Sequence, residues 1–112
     1  MEPLTPAVFH ILLSLADGEN HGYAIMQEIA ARTSGALVMG PGTLYGTLKR
    51  MLEAGLVEES GERPDPAIED QRRRYYRMTR QGRRAASQEA ERLEALVRTA
   101  RTKSLLRRPQ RV

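Results

Sequence analysis

The side chains of this 112-residue sequence that could do chemistry together gather between positions 43 and 50. They are the hydroxyls of Thr43, Tyr45 and Thr47 and the cations of Lys49 and Arg50. Their chemistry is recognition, not bond-making. A hydroxyl can meet a base edge or a phosphate, a Thr methyl can meet a thymine methyl, and Lys or Arg neutralises phosphate. Three more cations follow at Arg72, Arg73 and Arg74, and Tyr23 offers a further hydroxyl. Each has a plainer reading: Thr43 as a helix cap, Tyr45 and Tyr23 as packing residues, Lys49 and Arg50 as a solvated face. Catalysis has less to work with. There is no Cys, and His10 and His21 are too few and too far apart to suggest a metal site. No nucleophile motif or phosphate-cradling loop is present, so neither an enzyme nor a bound cofactor or metal is expected.

The residues around these groups set their positions. Gly40-Pro41-Gly42 reads as a helix entrance, because Pro has no N–H to lose in a first turn. Leu44, Leu48, Met51 and Leu52 then recur at helical spacing, and Gly55 suits the position just past a helix end. The expected helix, about 41–54, buries one stripe and shows hydroxyls and cations elsewhere. Such a helix suits a DNA major groove. Before it, Thr5 or Pro6 starts a first helix with Val8, Phe9, Leu12, Leu13, Leu15 and Ala16 as its apolar face. A second runs from His21 or Gly22 to about Arg32. Ala36–Met39 is either a minimal strand or an extended link.

After it, Leu56–Ser60 and Arg73–Met78 read as two strands of a hairpin, joined by a polar loop rich in Pro and Gly. Thr79 is a plausible N-cap for a last helix reaching about Ser104. The fold expected is mainly α (α+β). A winged helix-turn-helix spans residues 1–79, with its wing at about 56–78, followed by a C-terminal helix at 80–104. Residues 105–112 are expected to form a disordered basic tail.

Charge supports a polyanionic partner. The net charge is +4, but residues 1–70 carry four Lys/Arg against eleven Asp/Glu, while residues 71–112 carry fourteen against three. Such asymmetry points to nucleic acid. The acids at Asp65, Glu69 and Asp70 precede the Arg72–Arg74 run, and pairing between them in the absence of DNA is one alternative to DNA contact. Because successive residues alternate across a strand, the three Arg cannot all face one way. The lack of Cys suits a reducing cytoplasm, and no apolar run approaches the roughly 20 residues of a membrane span.

The sequence resembles the PadR family of bacterial transcriptional regulators. The matching pieces are His21-Gly22-Tyr23-Ala24-Ile25, Gly42-Thr43-Leu44-Tyr45, Leu48-Lys49-Arg50-Met51, Gly55-Leu56-Val57, Arg74-Tyr75-Tyr76-Arg77-Met78-Thr79 and Gly82-Arg83. The single C-terminal helix looks like the family's short branch. The resemblance implies a homodimer built from the first and last helices. It also implies repression of a promoter, released in many members by a small molecule or a stress signal. One departure stands out: Gly46 occupies a position where the family usually has Pro.

In the last helix Ala86, Ala90, Leu93, Val97 and Ala100 recur at spacings of four and three, with Leu96 beside them, as in a coiled-coil seam. These residues, with Phe9, Leu12 and Leu13, are the expected dimer interface. The expected partners are a second copy, double-stranded DNA with a pseudo-palindromic operator, and a small apolar effector held at an interface rich in Leu, Met and Ala. A winged-helix module that contacts only other proteins is the alternative.

Overall fold

The computed structural model describes residues 3–62 and 74–107. Arg72, Arg73 and the acids Asp65, Glu69 and Asp70 lie outside the described residues, as do positions 108–112 of the basic tail. Helix α1 (Pro6–Ser14) starts where Thr5 Oγ1 accepts the Val8 N–H, with Pro6 in its first turn. Strand β1 (Asn20–His21) leads directly into α2 (Gly22–Arg32), and His21 Nδ1 caps that helix by accepting the Ala24 N–H at 3.2 Å. Residues 36–39 form a link, not a strand. Helix α3 (Pro41–Glu53) follows, then β2 (Val57–Glu62), β3 (Arg74–Met78) and α4 (Arg80–Thr102).

The sheet has the order β1-β3-β2 and is antiparallel throughout. Asn20 pairs with Tyr76 and His21 with Tyr75, and the His21 and Tyr75 rings meet edge to face with centroids 5.3 Å apart. A two-residue strand leaves no periodicity to read, which is why the sequence suggests a two-stranded hairpin only. In β2 a bulge between Glu59 and Gly61 leaves Ser60 without a partner opposite it, the kind of irregularity that bends a strand away from a flat edge.

One core holds the helices on the sheet. It is built from Ile11, Leu12 and Leu15 of the first helical segment, Ile25 and Ile29 of α2, Leu44, Leu48 and Met51 of α3, and Met39, Val57 and Tyr76. Leu12 is fully buried there. It supports the domain from within and has no surface to give a second copy, which corrects its expected place in a dimer interface.

The end of α3 is joined tightly to the start of α4. Gly55, with φ +77°, allows the Leu56 N–H to reach the Met51 carbonyl and the Gly55 N–H to reach Leu52, closing α3 with a Schellman motif. Thr79 then works in both directions. Its hydroxyl donates to the Gly55 carbonyl at 2.6 Å and accepts the Gly82 N–H at 2.9 Å, capping α4.

Farther along α4, Glu89 is buried although it is ionisable. It accepts from the Arg92 guanidinium and from the Leu4 N–H, tying α4 to the segment before α1. The hydrogen bond from Arg92 holds its carboxyl below the ordinary range, helped by the Leu4 N–H and opposed by burial. A lowered folded-state value stabilises the protein above the ordinary glutamate value and ceases to do so as pH falls through it. The stability difference between wild type and Glu89→Gln should therefore be largest near neutral pH and shrink in acid, as urea unfolding at a series of pH values would show.

Candidate DNA-binding surface

Helix α3 separates its two faces by spacing. Leu44, Thr47, Leu48 and Met51 are buried, at the i, i+3, i+4, i+7 positions of one stripe. Thr43, Lys49 and Arg50 are exposed on the remaining surface. Thr43 is not the cap: Gly40 is the N-cap and makes no side-chain capping bond. Thr47 departs from the expected DNA-contacting set. It is only 3% exposed, and its hydroxyl donates to the Thr43 carbonyl at 2.8 Å, satisfying a buried polar group within the helix. Lying three after Leu44 and four before Met51, it belongs to the buried stripe and not to the outward face on which it is expected.

Arg50 folds back along the helix, with Nη2 donating to Thr47 Oγ1 at 3.3 Å. Tyr45 is half-buried and lies on Gly22 at the head of α2. A Cβ at Gly22 would come within 2.6 Å of the Tyr45 hydroxyl. That close approach is the packing alternative for Tyr45, and it sets α3 against α2. Tyr23, one position along, is 40% exposed at the α2 N-terminus.

Beside α3, the strands form the second wall of an open cleft of about 500 Å³. Tyr45, Gly46, Lys49 and Leu52 line it from the helix, and Glu59, Arg74 and Tyr76 from the sheet. Arg74 stands 3.7 Å from Glu59, both about half exposed. Arg77, on the opposite face of β3, pairs with Glu58 at 2.8 Å. The alternation of β3 thus sends Arg74 to the cleft with Lys49 and turns Arg77 away. Exposed pairs of this kind contribute little to stability, so Arg74 can exchange Glu59 for a phosphate at small cost.

The other expected surface runs along α4. Ala90, Leu96 and Val97 are exposed, with Leu96 at 55% and Val97 at 41%, and Leu13 of α1 is exposed too. Phe9, Leu93 and Ala100 are partly covered, and Ala86 packs on the core. Phe9 and Leu93 line a cavity of about 350 Å³ between α1 and α4, with Leu4, Pro6, His10, Glu89 and Arg92. His10 Nδ1 lies 3.2 Å from Arg32 Nη1 at the end of α2. Among the described residues no group of three or more His, Cys, Asp and Glu could hold a metal ion, and no helix is long and apolar enough to cross a membrane.

The chain is similar to several known proteins. Residues 11–88 match the model of the transcriptional regulator PadR-like family. A transcriptional regulator of Mycobacterium tuberculosis is 38% identical over 89 residues, covering 80% of this chain and 77% of that protein. Among solved structures, a transcriptional regulator from Clostridium thermocellum is 27% identical, with a TM-score of 0.68 over 86% of this chain and 87% of its own. A PadR family transcription regulator from Clostridium difficile shares the fold at 20% identity, with a TM-score of 0.69 over 88% of this chain and 97% of its own.

Proposed function

Because the chain belongs to the PadR-like family of transcriptional regulators, we propose that it acts in the cytoplasm as a homodimeric repressor of a nearby promoter. One observation carries the reading. Helix α3 buries its apolar stripe and leaves Thr43, Lys49 and Arg50 outward, with Arg74 across the cleft and Tyr23 at the head of α2. Two such helices, related by a dimer axis, would enter successive major grooves about 34 Å apart on a pseudo-palindromic site. Lys49, Arg50 and Arg74 neutralise phosphate and supply most of the affinity, while Thr43 and the shape of the DNA supply specificity. One of the wing residues Arg72 and Arg73 adds a phosphate or minor-groove contact, since alternation along a strand keeps the two from facing one way.

The dimer forms through α1 and α4. The α4 seam carries Leu96 and Val97 exposed in an otherwise charged helix, and burying them against a second copy removes apolar surface from water. The cavity between α1 and α4 adjoins that seam and is where a small effector would act, altering the spacing of the two α3 helices. Neither a catalytic step nor a cofactor enters this account.

Selection of bound fragments from sheared genomic DNA by the purified protein tests the reading. Recovery of a pseudo-palindrome next to a promoter, retained against excess non-specific duplex, is the expected result. If no sequence is enriched at physiological ionic strength, the domain serves protein–protein contact instead.

A further inference from the structure

Gly46 lies in the interior of α3, where glycine weakens a helix. The chain itself offers no reason for it. Gly46 is not among the glycines with positive φ, so its backbone conformation is open to any residue. A Cβ built there would meet only Arg50 Nη1, at 3.8 Å, which is ordinary contact. Other glycines of the domain answer to internal constraints: Gly22 makes room for Tyr45, Gly55 needs its positive φ, and Gly82 lies against the Leu56 carbonyl. Gly42 is equally open but lies in the first turn of α3; among the described residues, Gly46 is the glycine of a helix interior where alanine would fit.

Its location supplies the reason. Gly46 lines the cleft between α3 and the sheet, between Tyr45 and Lys49 and facing the wall that carries Arg74. Glycine is used where a backbone must approach a ligand closely, and a cleft with Lys49 and Arg74 among its lining suits a sugar–phosphate strand. We infer that Gly46 is an affinity- and specificity-determining residue. Its missing side chain lets one DNA strand seat against the α3 main chain, within reach of Lys49 and Arg74. The inference rests on the DNA-binding reading above and adds to it a steric requirement at one position.

Gly46→Ala and Gly46→Leu test it, because both residues favour helix and differ in size. Binding is read by fluorescence anisotropy on the duplex selected with the wild type, and folding by thermal melting. Both variants should melt several degrees higher than wild type. Gly46→Ala should weaken binding roughly tenfold, about the loss of one charge-assisted contact, and Gly46→Leu more. Equal binding by all three proteins would overturn the inference while leaving DNA binding intact. A lower melting temperature for Gly46→Ala would overturn it too, since the fold would then require the glycine. Failure of the wild type to bind any duplex would count instead against the function itself.

Discussion

Replacing Leu96 and Val97 together by Glu should give a folded monomer that binds its operator about 100-fold more weakly or worse. Both side chains are exposed on α4, at 55% and 41%, so their replacement removes nothing from the domain's own core. Leu93 is a poorer choice, because it lines the cavity with Phe9 and contributes to the folded domain. In a dimer the second α3 reaches its half-site at high effective concentration, and losing that linkage alone is worth about 10²- to 10⁴-fold in affinity. Sedimentation velocity reads the mass, and circular dichroism confirms the fold. A variant that remains a dimer with unchanged operator affinity would remove the α4 seam from the account.

Gly82→Ala should be the most damaging small substitution among the described residues. The added Cβ would stand 2.0 Å from the Leu56 carbonyl oxygen and 3.0 Å from Met78 Cγ. The first of these is backbone and cannot swing aside. Relief requires α4 to move off the end of α3, which breaks the Thr79 bonds to Gly55 and Gly82. A loss of about 3 kcal/mol or more is expected, at the upper end for overpacking, and chemical denaturation would measure it. Gly22→Ala makes a useful contrast. Its clash is with the far end of the Tyr45 side chain, which can rotate, so the stability loss should be smaller. An unchanged unfolding midpoint for Gly82→Ala would contradict the joint described between α3 and α4.

Helix spacing made most of this fold legible. The Pro41 entrance, the Leu44–Met51 stripe and the Gly55 stop define α3 nearly to the residue, and Thr79 caps α4 as its type suggests. What escaped did so for physical reasons. Strand β1 is two residues long and exists because β3 offers it an edge, a tertiary cause without local pattern. Thr47 and Glu89 are polar residues on buried faces, and each is satisfied by a partner that residue type alone does not announce: the Thr43 carbonyl in one case, Arg92 and the Leu4 N–H in the other. The spacing was the better guide in both. Thr47 lies three after Leu44 and four before Met51, and Glu89 three after Ala86 and four before Leu93. Tyr45 suits packing and contact about equally by residue type, and the structure packs it on the core and on the bare surface of Gly22. The family resemblance, resting on motifs from His21 to Arg83, agrees with the matched span of residues 11–88.

Helix α3 acting as the DNA-facing element is the claim on which the rest depends, and a salt titration tests it most directly. Operator affinity would be measured from low to moderate salt for wild type, Lys49→Ala and Arg50→Ala. For the wild type, log K should fall linearly with log salt concentration. Each substitution that removes a phosphate contact should weaken binding and flatten the slope by about one unit. Both side chains are exposed, so the fold should be undisturbed. Slopes and affinities identical to wild type in both variants would place the DNA elsewhere on the molecule and contradict the assignment of α3.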